Sequence, residues 1–186
     1  MSPVDEPAST VAYEVLDADG FRSVIPHLGE LIADSVDSGS SVNFLRGFSV
    51  ADGTAWWTAR IADVASGAIR PIVARLDGEV VGVVLLVPSR NLNSPHRAEV
   101  NKVIVHRRAR GRGIGTGLMR TLEDLARAEG RWLLLLDTES GSDAERMYRR
   151  LGWTAFGVVP DHAMRVDGDL GQTTYFRKDL RESAGR

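Results

Sequence analysis

"VNKVIVHRRARGRGIGTGLM", residues 100 to 119, joins an apolar run to a turn holding four arginines and four glycines, then continues into a segment of helical spacing. The glycines fall at 111, 113, 115 and 117. That spacing fits neither G-x-G-x-x-G nor G-x-x-x-x-G-K-[ST], so neither a dinucleotide fingerprint nor a nucleoside-triphosphate loop can be read from it. A strand, a glycine turn and a helix start remain. In such a turn backbone N–H groups converge at the positive end of the helix dipole and hold a phosphate or pyrophosphate, with Arg110 and Arg112 adding charge-assisted contacts. The alternative is a sharp turn with a solvated basic face, and the turn alone does not separate the two.

The flanking sequence supplies a sheet for this turn. "VAYEVL" (11 to 16) reads as a strand, and "FRSVIPHLGELIADSVD" (21 to 37) as a helical pattern interrupted at Pro26. "DSGSSVNFLRG" (37 to 47) is a loop, and "SVADGTAWWTARIADVAS" (49 to 66) carries apolar residues at helical spacing. "AIRPIVARL" and "VVGVVLLVPS" read as strands joined by a tight turn at "DGE", and "HRAEVNKVIVH" (96 to 106) as a further strand. After the glycines come the amphipathic helix "IGTGLMRTLEDLARAEG" ended by Gly130 and the buried strand "WLLLLDT". A helix capped near Ser142 or Asp143 and running to Leu151, and the closing strand "TTYFRKDL", complete the chain. The fold class is α+β on one mixed sheet. Residues 1 to 10 and 181 to 186 read as tails around a single domain at 11 to 180.

Composition narrows the function. A chain of 186 residues with 43% hydrophobic content builds one ordinary core. No stretch approaches the ~20 apolar residues of a membrane span, and the start lacks a signal-peptide pattern, so the expected location is the cytoplasm. With no cysteine there is no disulfide, thiolate zinc site or acyl-cysteine intermediate. The formal net charge of −2 argues against nucleic acid as a partner and makes the arginines of 107 to 112 a local cluster aimed at one small anion. His27, His96, His106 and His162 lack metal-ligand spacing, and no G-x-S-x-G elbow occurs.

"VIVHRRARGRGIG" resembles the R-x-x-G-x-G/A signature of the GCN5-related N-acetyltransferases (GNAT family), with Arg110, Gly113 and Gly115 in its defining places. "AERMYRRLGW" (144 to 153) adds Ala144, Tyr148, Gly152 and Trp153 in the family's next element. The resemblance covers about residues 72 to 178 well, and the N-terminal third only by the order of elements. "LLLLDTESGSDAERMYRRLGW" resembles most the tabtoxin-resistance type, which brings an antibiotic-resistance reading with it. Two positions depart from the family pattern: Gly141 stands where many members have asparagine, and Arg107 where many have proline. The first leaves Ser142 to substitute or the contact to be lost.

What the resemblance implies is a GNAT fold, a mixed and mostly antiparallel central sheet with helices on both faces, and acetyl-coenzyme A as cosubstrate without a metal. The pyrophosphate would rest on N–H groups of Gly111, Arg112, Gly113, Ile114, Gly115 and Thr116, and the pantetheine would pair like an added strand with Val103, Ile104 and Val105. That pairing requires the sheet to splay beside residues 99 to 105. Glu99 and Asp137 are the candidate bases, and Tyr148 the candidate acid toward the departing sulfur. Other roles stand beside these: a surface carboxylate for Glu99, a turn cap for Asp137 and a packed core aromatic for Tyr148. Trp56 and Trp57 read as core and surface members of one amphipathic helix, and Phe44 lies on a loop that in this family borders the acceptor pocket.

The expected reaction is transfer of an acetyl group to the amine of a small molecule, an amino-acid-like metabolite or antibiotic, by a monomer or homodimer. An Asp-Gly turn at 167 and 168 reads as a hairpin able to fold over the cleft. The acceptor's own carboxylate would need a cation such as Arg46 or Lys102. Acetylation of protein N-termini or lysines, and a non-catalytic acyl-coenzyme A sensor, are the alternatives.

Overall fold

The computed structural model describes residues 9 to 40 and 42 to 181. The expected N-terminal tail therefore lies outside the described residues except for Thr10 and Ser9, and the C-terminal one except for Arg181. Seven strands form one sheet: β1 (Val11–Val15), β2 (Arg70–Leu76), β3 (Glu79–Pro88), β4 (Arg97–Val105), β5 (Leu133–Glu139), β6 (Thr154–Met164) and β7 (Leu170–Asp179). Their order is β1-β2-β3-β4-β5-β7-β6, and every pair is antiparallel except β4 with β5. Helices α1 (Ala18–Asp37), α2 (Val50–Thr58) and α3 (Ile61–Ala65) cover one face. The other face carries α4 (Ile114–Ala128) and α5 (Asp143–Arg150), as the α+β expectation requires.

Local chemistry explains the elements. The turn between β2 and β3 has positive φ at both Asp77 (51°) and Gly78 (89°), the two-residue geometry whose twist suits a hairpin. Helix α1 opens on Asp17, whose carboxylate accepts from the Gly20 N–H. It then runs through Pro26 without the expected interruption. Pro26 is exposed while Phe21, Val24, Ile25 and Leu28 are buried, so the hydrogen bond lost to the proline faces water and the apolar stripe holds the helix together. The single helical pattern of 49 to 66 is two helices: Ser49 and Asp52 form a capping box at the start of α2, and the chain breaks at Ala59 and Arg60.

Helices α1 and α2 cross at a glycine contact. A Cβ on Gly53 would stand 2.8 Å from the Gly29 carbonyl oxygen, and one on Gly29 would run into Thr54. This approach seats Trp57 in the core, its Nε1 donating to the Leu28 carbonyl at 2.9 Å, and turns Trp56 toward the sheet. Strand β6 ends in the expected hairpin at Asp167 and Gly168, but its first part was not legible in sequence, because Gly157, Pro160 and Asp161 break its alternation. As an edge strand with a register shift between Val159 and Ala163, it tolerates all three.

Candidate active site

The parallel pairing of β4 and β5 stops almost where it starts. It joins Arg97 to Leu133, Ala98 to Leu134 and Glu99 to Leu135, after which the strands diverge. Beyond that point β5 pairs only with β7, so among the described residues the edge of β4 away from β3 has no strand beside it from Val100 to Val105. The result is the expected splay, and it opens a cleft of about 940 Å³.

At one end of the cleft the backbone does the work. His106 leads into a single 3-10 turn, Arg107–Ala109, and then Gly111 (φ 77°) and Gly113 (φ 75°) take left-handed conformations, Gly113 serving as the N-cap of α4. A Cβ on either would meet nothing within 4 Å, so the turn keeps clear space in front of its N–H groups. Gly115 and Gly117 serve packing instead. A Cβ on Gly115 would press on the Met147 sulfur at 3.1 Å, and one on Gly117 would land in the Tyr13 ring.

The four arginines do not all face an anion. Arg107 gives its backbone N–H to Asp34 at 2.9 Å and its guanidinium to Asp34 and Asp37, fastening the turn to the end of α1. A proline in that position has no N–H to give, so the departure from the family pattern has a structural use. Arg108 pairs with Glu79 at 2.7 Å. Arg110 lines the cleft, but its Nε donates to the Val105 carbonyl at 3.0 Å and another nitrogen to Ser38 Oγ at 2.9 Å. Arg112 is exposed and lies outside the cleft lining.

The remaining candidates divide as follows. Val103, Ile104, Val105, Gly111, Gly113, Ile114, Gly115 and Thr116 all border the cleft, as do Asp137, Ser142 and Tyr148. Glu99 is exposed at the point where the strands part and is outside the lining. Its neighbour in register is Leu135, two residues before Asp137 and on the same face of the sheet. Ser142 caps α5, its oxygen accepting from the Glu145 N–H at 3.1 Å and standing 3.5 Å from Thr138 Oγ1. Tyr148 is 4% exposed, held between the rings of Trp153 and Phe176 at centroid distances of 6.1 Å each. Burial, and after it the charge of Asp137, pushes its phenol well above the ordinary tyrosine range, so it stays protonated.

An aromatic cluster beside the cleft was the least legible part; of the side chains that form it, only Lys102 lines the cleft itself. The loop after α1 brings Phe44 and Phe48 into a stack at 4.0 Å, and Trp56 meets Phe44 edge-on at 5.6 Å. Lys102 joins them from β4: its Nζ donates to the Val42 carbonyl at 2.9 Å and stands 5.2 Å from the Phe44 ring and 5.1 Å from that of Trp56. Burial, and after it the charge of Arg60, pushes this ammonium down to about 8, with Asp137 opposing both. Arg46 is exposed and is not part of the lining; its backbone N–H donates to the Val166 carbonyl at 2.8 Å. Val166, at the tip of the β6–β7 hairpin, is buried against the same core as α1 and α2. Among the described residues no group of three or more His, Cys, Asp or Glu could hold a metal, and no helix is long and apolar enough to cross a membrane.

The fold is shared. Three solved structures resemble the chain over nearly its whole length: YncA from Salmonella typhimurium, in complex with its cofactor acetyl-coenzyme A (21% identity, TM-score 0.72, covering 94% of this chain and 96% of that one); a ribosomal-protein-alanine N-acetyltransferase from Brucella melitensis (22%, 0.73, 91% and 99%); and a GCN5-related N-acetyltransferase from Kribbella flavida (20%, 0.74, 91% and 98%). Identities at this level speak for the fold. Residues 42 to 153 match the family model described as "Acetyltransferase (GNAT) family", which spans the loop of Phe44 and Phe48, the splayed strands, the glycine turn and the tyrosine helix, and the chain belongs to that family.

Proposed function

We propose that the chain transfers an acetyl group from acetyl-coenzyme A to the amine of a small, amino-acid-like molecule. The cleft fits the cosubstrate in parts: left-handed Gly111 and Gly113 with open space before them for the pyrophosphate, and the unpaired β4 edge for the pantetheine amides. Acetyl-coenzyme A supplies the activated thioester. In the transfer the amine nitrogen forms a bond to the acetyl carbon, the carbon–sulfur bond breaks, and the thiol leaves with a proton.

The chain's residues manage the protons. A free amine is mostly an ammonium at neutral pH, and Asp137, lining the cleft and within electrostatic reach of both Tyr148 and Lys102, is the base that takes its proton directly or through water. Glu99, at the mouth, is the second candidate. Tyr148 stays protonated at working pH and donates to the departing sulfur.

The observation that carries the small-acceptor reading is the roof. The β6–β7 tip docks on the 42 to 48 loop through Val166 and the bond from Arg46 to its carbonyl, and a cleft covered on that side favours small molecules over polypeptides. The resemblance to the tabtoxin-resistance type, and a fold match to a provisionally assigned phosphinothricin N-acetyltransferase (14% identity, TM-score 0.74), agree with an amino-acid-like acceptor and a role in antibiotic resistance. The test is thiol release from acetyl-coenzyme A with peptides, polyamines and amino-acid-like antibiotics in competition. Faster turnover on a lysine-containing or N-terminal peptide than on every small amine would overturn the acceptor class.

A further inference from the structure

Lys102 stands where its strand breaks rhythm. Lys102 and Val103 together oppose the single residue Val84 of β3, and Lys102 is left with φ of 54°. A bulge of this kind re-aims a side chain, and a positive φ at a residue other than glycine is a conformation the surroundings must hold in place. Ala98 and Val100 point to the α4 side and Ile104 to the α1 side, so the bulge switches the strand's alternation. Its effect is to send an ammonium into the cluster of Phe44 and Trp56.

That ammonium has a carbonyl and two ring faces for company, but among the described residues it makes no ion pair. The contrast is Lys178, the only other lysine in the sequence, whose Nζ reaches both oxygens of the buried Glu123 at 2.7 and 2.8 Å. Near Lys102 the nearest charges are the Arg60 guanidinium, stacked 3.1 Å over Trp56 with Asp63 behind it, and Asp137 from β5. Arg60 has Asp63, so among the described residues Asp137 is the one carboxylate acting on Lys102, and it is committed to the incoming amine. A half-buried cation so placed lacks an anion.

The geometry points to Lys102 as the anchor for a carboxylate carried by the acceptor, whose ammonium lies toward Asp137 across the cleft that both side chains line. The acceptor is then zwitterionic, an amine and a carboxylate in one small molecule. This rests on the small-amine reading and narrows it. It also couples binding to protons. A carboxylate against Lys102 raises its pKa, so binding takes up a proton, and the affinity present below about pH 8 fades as the lysine deprotonates above it.

Two experiments decide it. In the first, acetyl-coenzyme A is saturating and phenylalanine is compared with phenethylamine, its decarboxylated partner. The wild type should favour phenylalanine by roughly tenfold or more in kcat/KM, the scale of a hydrogen-bonded charge pair. Lys102→Met should erase that preference through KM, and Lys102→Arg should retain part of it. Equal use of both amines by the wild type, or equal loss of both in Lys102→Met, would overturn the assignment, the latter revealing only a pin for the loop at Val42. The second experiment needs no turnover. Isotope-labelled lysine gives two NMR signals in this chain, and adding phenylpropionate should raise the titration midpoint of Lys102 from about 8 while leaving Lys178 unmoved. An unmoved Lys102 midpoint at millimolar phenylpropionate would overturn the carboxylate anchor. Failure of every amine as a substrate, with the Lys102 midpoint still raised, would count against the transferase reading and leave the anchor standing.

Discussion

The two ends of β4 meet their ligands with different materials. At its C-terminal end, from Val103 to Thr116, the surface offered to the cleft is largely backbone: an unpaired strand edge, two left-handed glycines and a helix start. At its middle the surface is side chains drawn from distant parts of the chain, Lys102 from a bulge and Asp137 from β5, with Phe44 from a loop and Trp56 from α2 packed around the lysine. Backbone recognition suits a part of the substrate that never changes, whereas side chains can be exchanged to suit different acceptors. Substitutions at the two ends should therefore separate cleanly, the one moving cofactor affinity and the other moving turnover and acceptor affinity.

The largest effects are expected at Tyr148 and Asp137, the groups proposed to handle the protons. Tyr148→Phe and Asp137→Asn should each lower kcat by about 10²-fold or more, the usual scale of general acid–base catalysis, with the Kd for acetyl-coenzyme A within about twofold of wild type. Steady-state kinetics with calorimetry measures both. Glu99→Gln separates the carboxylates: if Asp137 is the base, the acidic limb of the pH–rate profile disappears in Asp137→Asn and persists in Glu99→Gln. The reverse pattern would move the base to the mouth of the cleft.

Next in size is the glycine turn. Gly113→Val puts a β-branched residue at φ 75° and a side chain into the space the turn keeps open. The expected result is a rise of about tenfold or more in the Kd for acetyl-coenzyme A, with kcat at saturation nearly preserved. A variant that lost kcat but kept its cofactor affinity would break the division between the two ends.

The same division marks what the sequence disclosed. Glycine spacing, the apolar runs and the Tyr148 helix are local signals, and they led to the sheet and the turn, while the splay and most cleft residues came from the family resemblance that those signals carry. Side-chain partners are not local. Nothing near Arg107 in the sequence points to Asp34 and Asp37, so the cluster of four arginines read as one anion site although two of them brace the turn. The bulge at Lys102 lies inside an ordinary strand pattern, and β6 is hidden by a proline that only an edge strand accepts. Trp56 and Phe44 became a cluster only because Gly29 and Gly53 bring α1 and α2 into backbone contact.

That helix crossing gives a smaller effect, confined to the acceptor end. Gly53→Ala sets a Cβ 2.8 Å from the Gly29 carbonyl oxygen, and overpacking of this kind costs about 1–3 kcal/mol. Denaturant melts should register the loss. The displaced α2 should raise the KM for the acceptor, while calorimetry finds the affinity for acetyl-coenzyme A unchanged. An equal loss at both ends would mean that α2 is coupled through the sheet to the glycine turn.

The smallest effect is expected at Arg110, the first residue of the family signature. Its Nε is committed to the Val105 carbonyl and one terminal nitrogen to Ser38, which leaves part of the guanidinium for a phosphate at an exposed site. A charge contact in that setting is screened by salt, so Arg110→Ala should weaken acetyl-coenzyme A binding by only about three- to tenfold at low ionic strength. Calorimetry at low and high salt separates its two possible roles. If Arg110 holds phosphate by charge, the gap between variant and wild type narrows as salt rises. If it acts as a brace between β4 and the end of α1, the gap is independent of salt and the melting temperature falls with it. A salt-independent gap would make the cofactor end of β4 a surface built wholly from backbone, with its signature arginine serving the shape of the turn rather than its charge.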